Sequence, residues 1–571
     1  MQFVSRALIF FGITIAINNL VQGTSHAQNP LANLSLDPAD SWNLMLVGGS
    51  MRTCSSMASS HCETTDWINP ETIRTHNGIQ LNNAAIQRIL NSESWQNDRL
   101  EIRDELVSAL RKTQGSIKGN NLKFDDFRSR FSSIYANLWR NLTDREYFLL
   151  RDSIQVPYSE LPTEQINFEA STESAGVELF ETFVERARAL SGIERPRIIV
   201  VTASARDSFD AVDFYLQAFR HFGAEVTWLP LDAATGQAIA AGRCEDIDKI
   251  RENVQNSFYQ ARKSPVLAER QLLACTQPEM LTRTIEAAHG IFFNGGDQSL
   301  TLQGFIAPDN TPFPWLTALQ QRVQAGEMIA GGTSAGTAVM SAAHMISNGS
   351  GRPALIAGAV RSPFPPAIDC ERMNNCGFPA GADQLTYRAE GGLGLFPMGI
   401  TDTHFSERGR QIRLLRLAAD TNTRLGVGID EATALLIDTQ SGAFQVQGAH
   451  GVFMISNAYS VEQEGPESAG IMAEFHYFRN GSGGVIHDQE IKYVRFGDTP
   501  QPDTGSPGTG ALLEDRTLTA ALAQCQKQEV KRFSEDDIQI RFFFYSALLA
   551  HEKEACEVSR GEMLVVWPRA S

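Results

Sequence analysis

Residues 327–344 read EMIAGGTSAGTAVMSAAH, and this stretch decides the fold class. EMIAGG (327–332) is a short apolar run ending in paired glycines, which reads as a buried strand meeting a turn. SAGTAVMSAAH, from Ser334 onward, reads as the opening of a helix. Between them Gly332-Thr333-Ser334-Ala335-Gly336 fits the pattern G-x-S-x-G. A turn this sharp needs flanking residues that are small or tolerate positive φ. It exposes the serine hydroxyl and lets the following backbone N–H groups face a developing oxyanion. A Gly-rich helix cap has the same pattern, so the neighbouring sequence must decide between the two.

Working outward, the same strand, turn and helix grammar repeats. NLMLVGGS (43–50), PRIIVVTAS (196–204), EVTWLPL (225–231) and GIFFNGG (290–296) are strand candidates. Helical spacing appears in FDAVDFYLQAFRHFG (209–223), across 245–288, and in TPFPWLTALQQRVQAG (311–326). Strands alternating with helices require crossover connections, which predicts an α/β fold with a mostly parallel sheet. Sites in such sheets sit at strand C-termini, where Ser334 stands. RLGVGIDEATALLIDT (424–439) reads as two short strands around an acidic turn, and FQVQGAHGVFMISN (444–457) adds strands. The stretch 51–195 interrupts the pattern. Residues 82–91, 97–112 and 121–150 carry Leu, Ile and Phe at helical spacing, so a mainly helical insertion is expected there. The main domain is then expected over 28–50 and 196–457. A small C-terminal accessory region, 458–571, follows, with a Pro/Gly-rich linker near 498–510.

The chain has 571 residues and a formal net charge of -17, which argues against a nucleic-acid partner, because phosphate backbones select basic surfaces. Arg6, then ALIFFGITIAINNL (7–20), then Ser25-His26-Ala27 read as a signal peptide over 1–27, with export to the periplasm or beyond. The apolar run is short for a membrane span and is interrupted by Asn18 and Asn19, so no stable span is expected after cleavage. The cysteines form neighbouring couples: Cys54 with Cys62, Cys244 with Cys275, Cys370 with Cys376, and Cys525 with Cys556. An even count in an exported chain favours disulfides, and short loops close most readily, so nearest-neighbour pairing is expected. The couples lack C-x-x-C spacing and no His cluster accompanies them, so no metal site is expected.

A serine nucleophile needs a base, and the base needs an orienting group. Of the 11 histidines, His404 stands out in GITDTHFSERGRQIRLLRL (399–417), between a strand end and an Arg-rich helix. Glu431 occupies the acidic turn of GVGIDEATAL (426–435). Both fall at strand ends, as Ser334 does. An α/β-hydrolase esterase shares the G-x-S-x-G turn, but its acid precedes its histidine in sequence. Here Glu431 follows His404.

Together these motifs resemble the cyanophycinases and the related aspartyl dipeptidases (peptidase E). LMLVGG, FFNGGDQ, GGTSAGTAVMS, GLGLFP, DTHFSERGRQIRLL and GVGIDEATAL occur in that family's order. The resemblance implies a doubly wound, class I glutamine amidotransferase-like fold with serine in place of cysteine. It implies Ser334 as nucleophile, His404 as general base and Glu431 as its orienting acid, with no metal or organic cofactor. Oxyanion donors are then expected at Ala335 and at Gly296 in the Gly295-Gly296 turn. Cyanophycinases release β-Asp-Arg dipeptides from cyanophycin, a poly-aspartate backbone with arginine on each side-chain carboxyl. Gln298, Asp402, Arg408, Arg410 and Arg413 correspond to family positions implicated in substrate binding. Arginine forks suit carboxylates, and Asp402 suits a substrate guanidinium. The resemblance also allows a homodimer.

Two positions depart from the family. Thr403 stands directly before the base, where cyanophycinases commonly carry a Gln expected to touch substrate, and Asn294 stands where Thr is usual. Thr403 keeps open a peptidase acting on other aspartyl or arginyl peptides. A non-catalytic binding protein on the same fold is a further alternative, against which the intact Ser334, His404 and Glu431 argue.

Overall fold

Leu44–Val47 shows in four residues how the main core is built. Side chains alternate faces along a strand. Leu44 and Leu46 join one buried cluster with Ile199, Val201, Phe293 and Ala330. Met45 and Val47 join another with Ile198, Val200, Phe292 and Ile329. A sheet apolar on both faces must be covered on both. Helices Ala175–Ser191 and Val212–His221 cover one face through Phe180, Phe183 and Phe219. Helices Glu279–Ala287, Gln298–Phe305 and Pro314–Gln324 cover the other through Ile285, Phe305 and Leu319.

The computed structural model describes residues 41–115, 122–367, 369–462, 468–497, 510–523, 530–548 and 557–568, all within the unit Leu36–Ser571. The expected signal peptide, nearly all of the linker near 498–510, and Cys525 and Cys556 lie outside these residues. The other three couples, Cys54–Cys62, Cys244–Cys275 and Cys370–Cys376, are disulfide-bonded, in the pairing the spacing predicts. Among the described residues no helix is long and apolar enough to cross a membrane.

The protein is mixed α/β, and among the described residues its largest sheet has nine strands. From one edge these run Glu490–Arg495, Gly483–His487, Ala443–Gly448, Thr433–Ile437, Leu44–Val47, Ile329–Thr333, Gly290–Phe293, Arg197–Val201 and Glu225–Trp228. The last five are mutually parallel. The other four are joined antiparallel, which corrects the expectation of a mostly parallel sheet. The reason lies in the connections. Tight turns join 433–437 to 443–448 and 483–487 to 490–495, and a parallel pairing needs a crossover of a dozen residues or so.

A second sheet of seven strands was not read from the sequence. It begins with Ile400–Thr403 parallel to Leu425–Ile429, and continues antiparallel through Gly451–Glu462, Ser468–Arg479, Glu557–Pro568, Ile538–Leu548 and Val530–Glu535. The C-terminal region is therefore no small accessory element, and the expected boundary after 457 falls inside the strand Gly451–Glu462. Its strands bury Ile538, Ile540 and Phe542, and Met563, Val565 and Trp567, at period two against helix Gln411–Thr421. That burial ties the region to the rest of the chain.

The described part of the segment after residue 51 is mainly helical. Asn83–Leu90, Leu100–Gln114, Phe124–Ile134, Ala136–Asn141 and Asp144–Ile154 enclose a core of Ile86, Leu110, Phe127, Phe131 and Leu150. Its last helix, Ala175–Ser191, is the one that lies on the main sheet. A buried ion cluster fastens the helical core in place. Asp152 accepts hydrogen bonds from Arg206 at 2.8 and 3.0 Å, and Lys263 lies 3.2 Å from Asp152 and 2.6 Å from Asp207. Burial opposes the Asp152 charge, but Arg206 and Lys263 outweigh it and hold the carboxyl below its ordinary range. Breaking one member of such a cluster leaves buried charge uncompensated. Asp152→Asn is expected to destabilise the protein by about 3 kcal/mol or more, read as a lower denaturation midpoint.

Candidate active site

Ser334 is a non-glycine residue with φ 56° and ψ -119°, outside the ordinary helix and strand regions. It joins strand Ile329–Thr333 to the short helix Ala335–Ala338, which ends well before the expected stretch to His344. The turn is held from both sides. Ser334 N–H donates to the carbonyl of Val47 at 3.1 Å, and Thr337 Oγ1 donates to the same carbonyl at 2.7 Å. The glycines are required by space. A Cβ on Gly332 would fall 2.5 Å from the Gly336 carbonyl oxygen, and one on Gly336 would fall 2.4 Å from that of Phe293.

His404 approaches from the second sheet, at the end of strand Ile400–Thr403. Its Nε2 lies 2.7 Å from Ser334 Oγ, and its Nδ1 lies 2.7 Å from Glu431 Oε1. Glu431 sits on the turn from Leu425–Ile429 in the second sheet to Thr433–Ile437 in the first. Arg52 donates to the other Glu431 oxygen at 3.0 Å. Burial alone would raise the Glu431 pKa, but the hydrogen bonds from His404 and Arg52 outweigh it and hold the carboxyl at about 2. Burial lowers the imidazole pKa below 6.5; the Glu431 hydrogen bond opposes this without overcoming it, and nearby Arg408 adds to the lowering. The ring is therefore neutral near pH 7, with Nε2 facing the serine. Behind it, the Glu431 N–H donates to Glu407 at 3.2 Å, and Glu407 is in turn ion-paired to Arg516 from the C-terminal region.

Ser334 and His404 open into a cavity of about 470 Å³. Gln298, Asp402, Thr403, Arg408, Arg410 and Arg413 all line it, as do Ala335 and Gly296, so the sequence-derived set converges on one site. Their roles within it differ from expectation. Asp402 was expected to suit a substrate guanidinium. Its carboxylate is instead taken by Arg413, whose Nε donates at 2.7 Å, and Arg410 lies 3.6 Å away. Asp402 thus orients two arginines rather than standing open. Arg410 also donates to the Thr403 carbonyl at 2.6 Å, and Gln298 to that of Ile346 at 2.6 Å. Arg408 is exposed at the rim, without an ion-pair partner among the described residues. An adjoining hollow of about 800 Å³ meets this cavity at Gly296, Asp297, Pro365 and Pro366, and runs along Phe148 of the helical segment.

No family model matches the chain. A cyanophycinase of Trichormus variabilis is 29% identical over 280 residues, which cover 49% of this chain and 68% of the relative. A cyanophycinase of Geminocystis herdmanii is 37% identical over 149 residues, 26% of this chain and 43% of the relative. The chain is a relative of the cyanophycinases. Among solved structures, a peptidase from an acI-B1 actinobacterium has 17% identity and a TM-score of 0.31, covering 55% of this chain and 91% of its own.

Several residues of the site carried no sequence signal. Arg52 stands alone in a polar stretch, and Asp383 and the Pro365-Pro366 pair look like ordinary loop residues. Gly49 was visible only as a strand terminator, yet a Cβ there would fall 2.3 Å from the His404 ring, at a φ of +137°. Gly49→Ala is therefore expected to expel the ring. In an NMR-followed titration the wild-type His404 should protonate below pH 6.5, and the variant should move back up toward that ordinary value.

Proposed function

We propose that this protein is an exported serine peptidase of the cyanophycinase kind, with the class I glutamine amidotransferase-like fold the resemblance implies. The observation that carries the reading is the chain of two 2.7 Å contacts from Ser334 through His404 to Glu431, set on a strained turn. In this reading His404 removes the Ser334 proton as Oγ attacks the peptide carbonyl. Glu431, kept ionised, holds the imidazole in the tautomer that accepts at Nε2 and stabilises the imidazolium that forms. Ala335 and Gly296 line the cavity, and in this reading their backbone N–H groups hold the oxyanion. His404 then passes its proton to the departing amine, and water hydrolyses the acyl-enzyme by the same route in reverse.

The substrate is a chain of aspartyl residues bearing arginine, namely cyanophycin cleaved to β-Asp-Arg. Arg408, Arg410 and Arg413 supply donors for carboxylates on one side of Ser334. The adjoining hollow gives a long chain room to continue beyond the cavity, which favours a polymer over a free dipeptide. Thr403 is the observation behind a second reading. Its side chain is shorter than the Gln common in the family, so a peptidase for other aspartyl or arginyl peptides fits the same cavity. The three disulfides support an oxidising, extracytoplasmic setting.

The purified protein is expected to solubilise insoluble cyanophycin with release of dipeptide, and Ser334→Ala to lower the rate by about 10⁴-fold or more. Attack on small aspartyl peptides without attack on the polymer supports the second reading. The pH profile follows from the imidazole. The base form is lost as pH falls through the His404 pKa, so kcat/KM should drop on the acid side with an apparent pKa below 6.5.

A further inference from the structure

A second cavity, of about 540 Å³, opens on Ser334 and His404. It shares only those two residues with the arginine-lined cavity, so the reacting hydroxyl stands between two hollows. A peptide bond held at Ser334 has substituents on both sides, and each hollow offers room for one.

The walls of this second cavity come largely from the segment to which the sequence assigned no role. Loop 54–62 is closed by the Cys54–Cys62 disulfide and pinned to the stretch 164–171, with Ser56 N–H donating to Gln165 O at 2.8 Å and Asn167 N–H to Cys54 O at 3.1 Å. The lining carries two carboxyl residues, Glu164 and Asp210, and two arginines, Arg52 and Arg74, both also engaged by carboxylates beyond it. Glu164, 7% exposed, accepts from Ser55 Oγ at 2.6 Å, and its other oxygen is 3.6 Å from Arg74. Arg74 is committed elsewhere, donating to Asp213 at 2.8 Å and to the Asp210 carbonyl at 3.2 Å. One guanidinium thus pairs with two carboxyl groups, Glu164 and Asp213, while the Asp210 carboxyl accepts from Tyr158 Oη at 3.2 Å. The other arginine of the lining, Arg52, is engaged by Glu431 and Glu173. Burial pushes the Glu164 pKa up to about 7. One buried polar atom of the lining able to accept a hydrogen bond also lacks a partner among the described residues: Thr333 Oγ1, beside the nucleophile on a residue 6% exposed.

We propose that this cavity binds a cationic side group of the substrate, a guanidinium of the arginyl kind, on the side of the scissile bond opposite the Arg410–Arg413 cavity, with Glu164 and Asp210 as its carboxylate partners. The inference rests on the serine-peptidase reading and adds to it a charge requirement on the second side of the bond. A guanidinium brings a positive charge and presents five donors in a planar fork. It also explains why the loop is stapled: a charged recognition pocket works only if its carboxylates are held in place.

The test uses the full-length protein and short β-Asp-Arg oligomers in which arginine on one side of the scissile bond, then on the other, is replaced by neutral citrulline. Wild-type kcat/KM should favour arginine over citrulline by about 10- to 100-fold on the side served by Glu164, the range expected for a charge-assisted hydrogen bond. In Glu164→Gln that ratio should fall toward one while the ratio on the other side is retained; Asp210→Asn should reduce it in the same direction. Retention of the full ratio in both variants, or equal loss on both sides, overturns the proposal. A calorimetric arm separates this from failure of the peptidase reading. Arginyl-oligomer affinity is compared between Ser334→Ala and the Ser334→Ala/Glu164→Gln double variant. Affinity that depends on Glu164, together with a wild-type protein that hydrolyses none of the oligomers, leaves the binding proposal standing and sinks the peptidase reading. Affinity indifferent to Glu164 sinks the binding proposal whatever the activity.

Discussion

The two main sheets meet where there is no room for a side chain. A Cβ on Gly48 would fall 2.0 Å from the carbonyl oxygen of Asp430, and one on Gly49 would enter the His404 ring. This close crossing lets one short segment touch all three parts of the site. Val47 holds the Ser334 turn through its carbonyl. Gly48 accepts the His404 N–H at 2.7 Å, and Gly49 accepts the N–H of Ala432, next to Glu431, at 3.0 Å. The strand Leu44–Val47 is itself locked between a parallel neighbour and an antiparallel one. The geometry from serine to carboxylate is therefore set by backbone hydrogen bonds of buried strands, which are far stiffer than loop contacts.

That arrangement makes the strain at Ser334 affordable. A non-glycine residue outside the common φ/ψ regions costs on the order of 1–3 kcal/mol and persists only where its surroundings over-determine it. Here the turn is over-determined by the Val47 carbonyl and by paired glycines packed against backbone. The electrostatics follow the same division of labour. The ionised Glu431 is secured by Arg52 from the segment after the first strand, and its backbone is backed by Glu407 and Arg516 from later in the chain. Segments distant in sequence thus hold one carboxylate in one protonation state. A general base operating near neutral pH depends on that condition.

The parallel half of the large sheet was legible because most of its strands are short apolar runs, three of them (Leu44–Val47, Gly290–Phe293 and Ile329–Thr333) running into or through paired glycines, a pattern that buried parallel strands produce. The helical segment was legible from period alone. The second sheet was not, although Ile538, Ile540 and Phe542 alternate cleanly. Its partners, such as 468–479 and 557–568, are far apart in sequence, and period two does not say which strand pairs with which. The three residues proposed for the reaction stood out by motif order. The pairing of Asp402 with Arg413 did not, since residue type tells what a carboxylate suits but not whether the chain has already filled it. Glu164 and Arg74 were invisible for a related reason. They become a site only when loop 54–62 folds over the far side of Ser334.

The central claim is that His404 activates Ser334 across this junction. The most direct measurement is the rate at which a serine-directed phosphonylating reagent modifies the protein, with the adduct mapped by peptide mass spectrometry. The account predicts a single adduct on Ser334, forming about 10³-fold or more faster in the wild type than in His404→Ala. Modification of Ser334 at the same slow rate in both proteins would contradict it, as would an adduct confined to another residue.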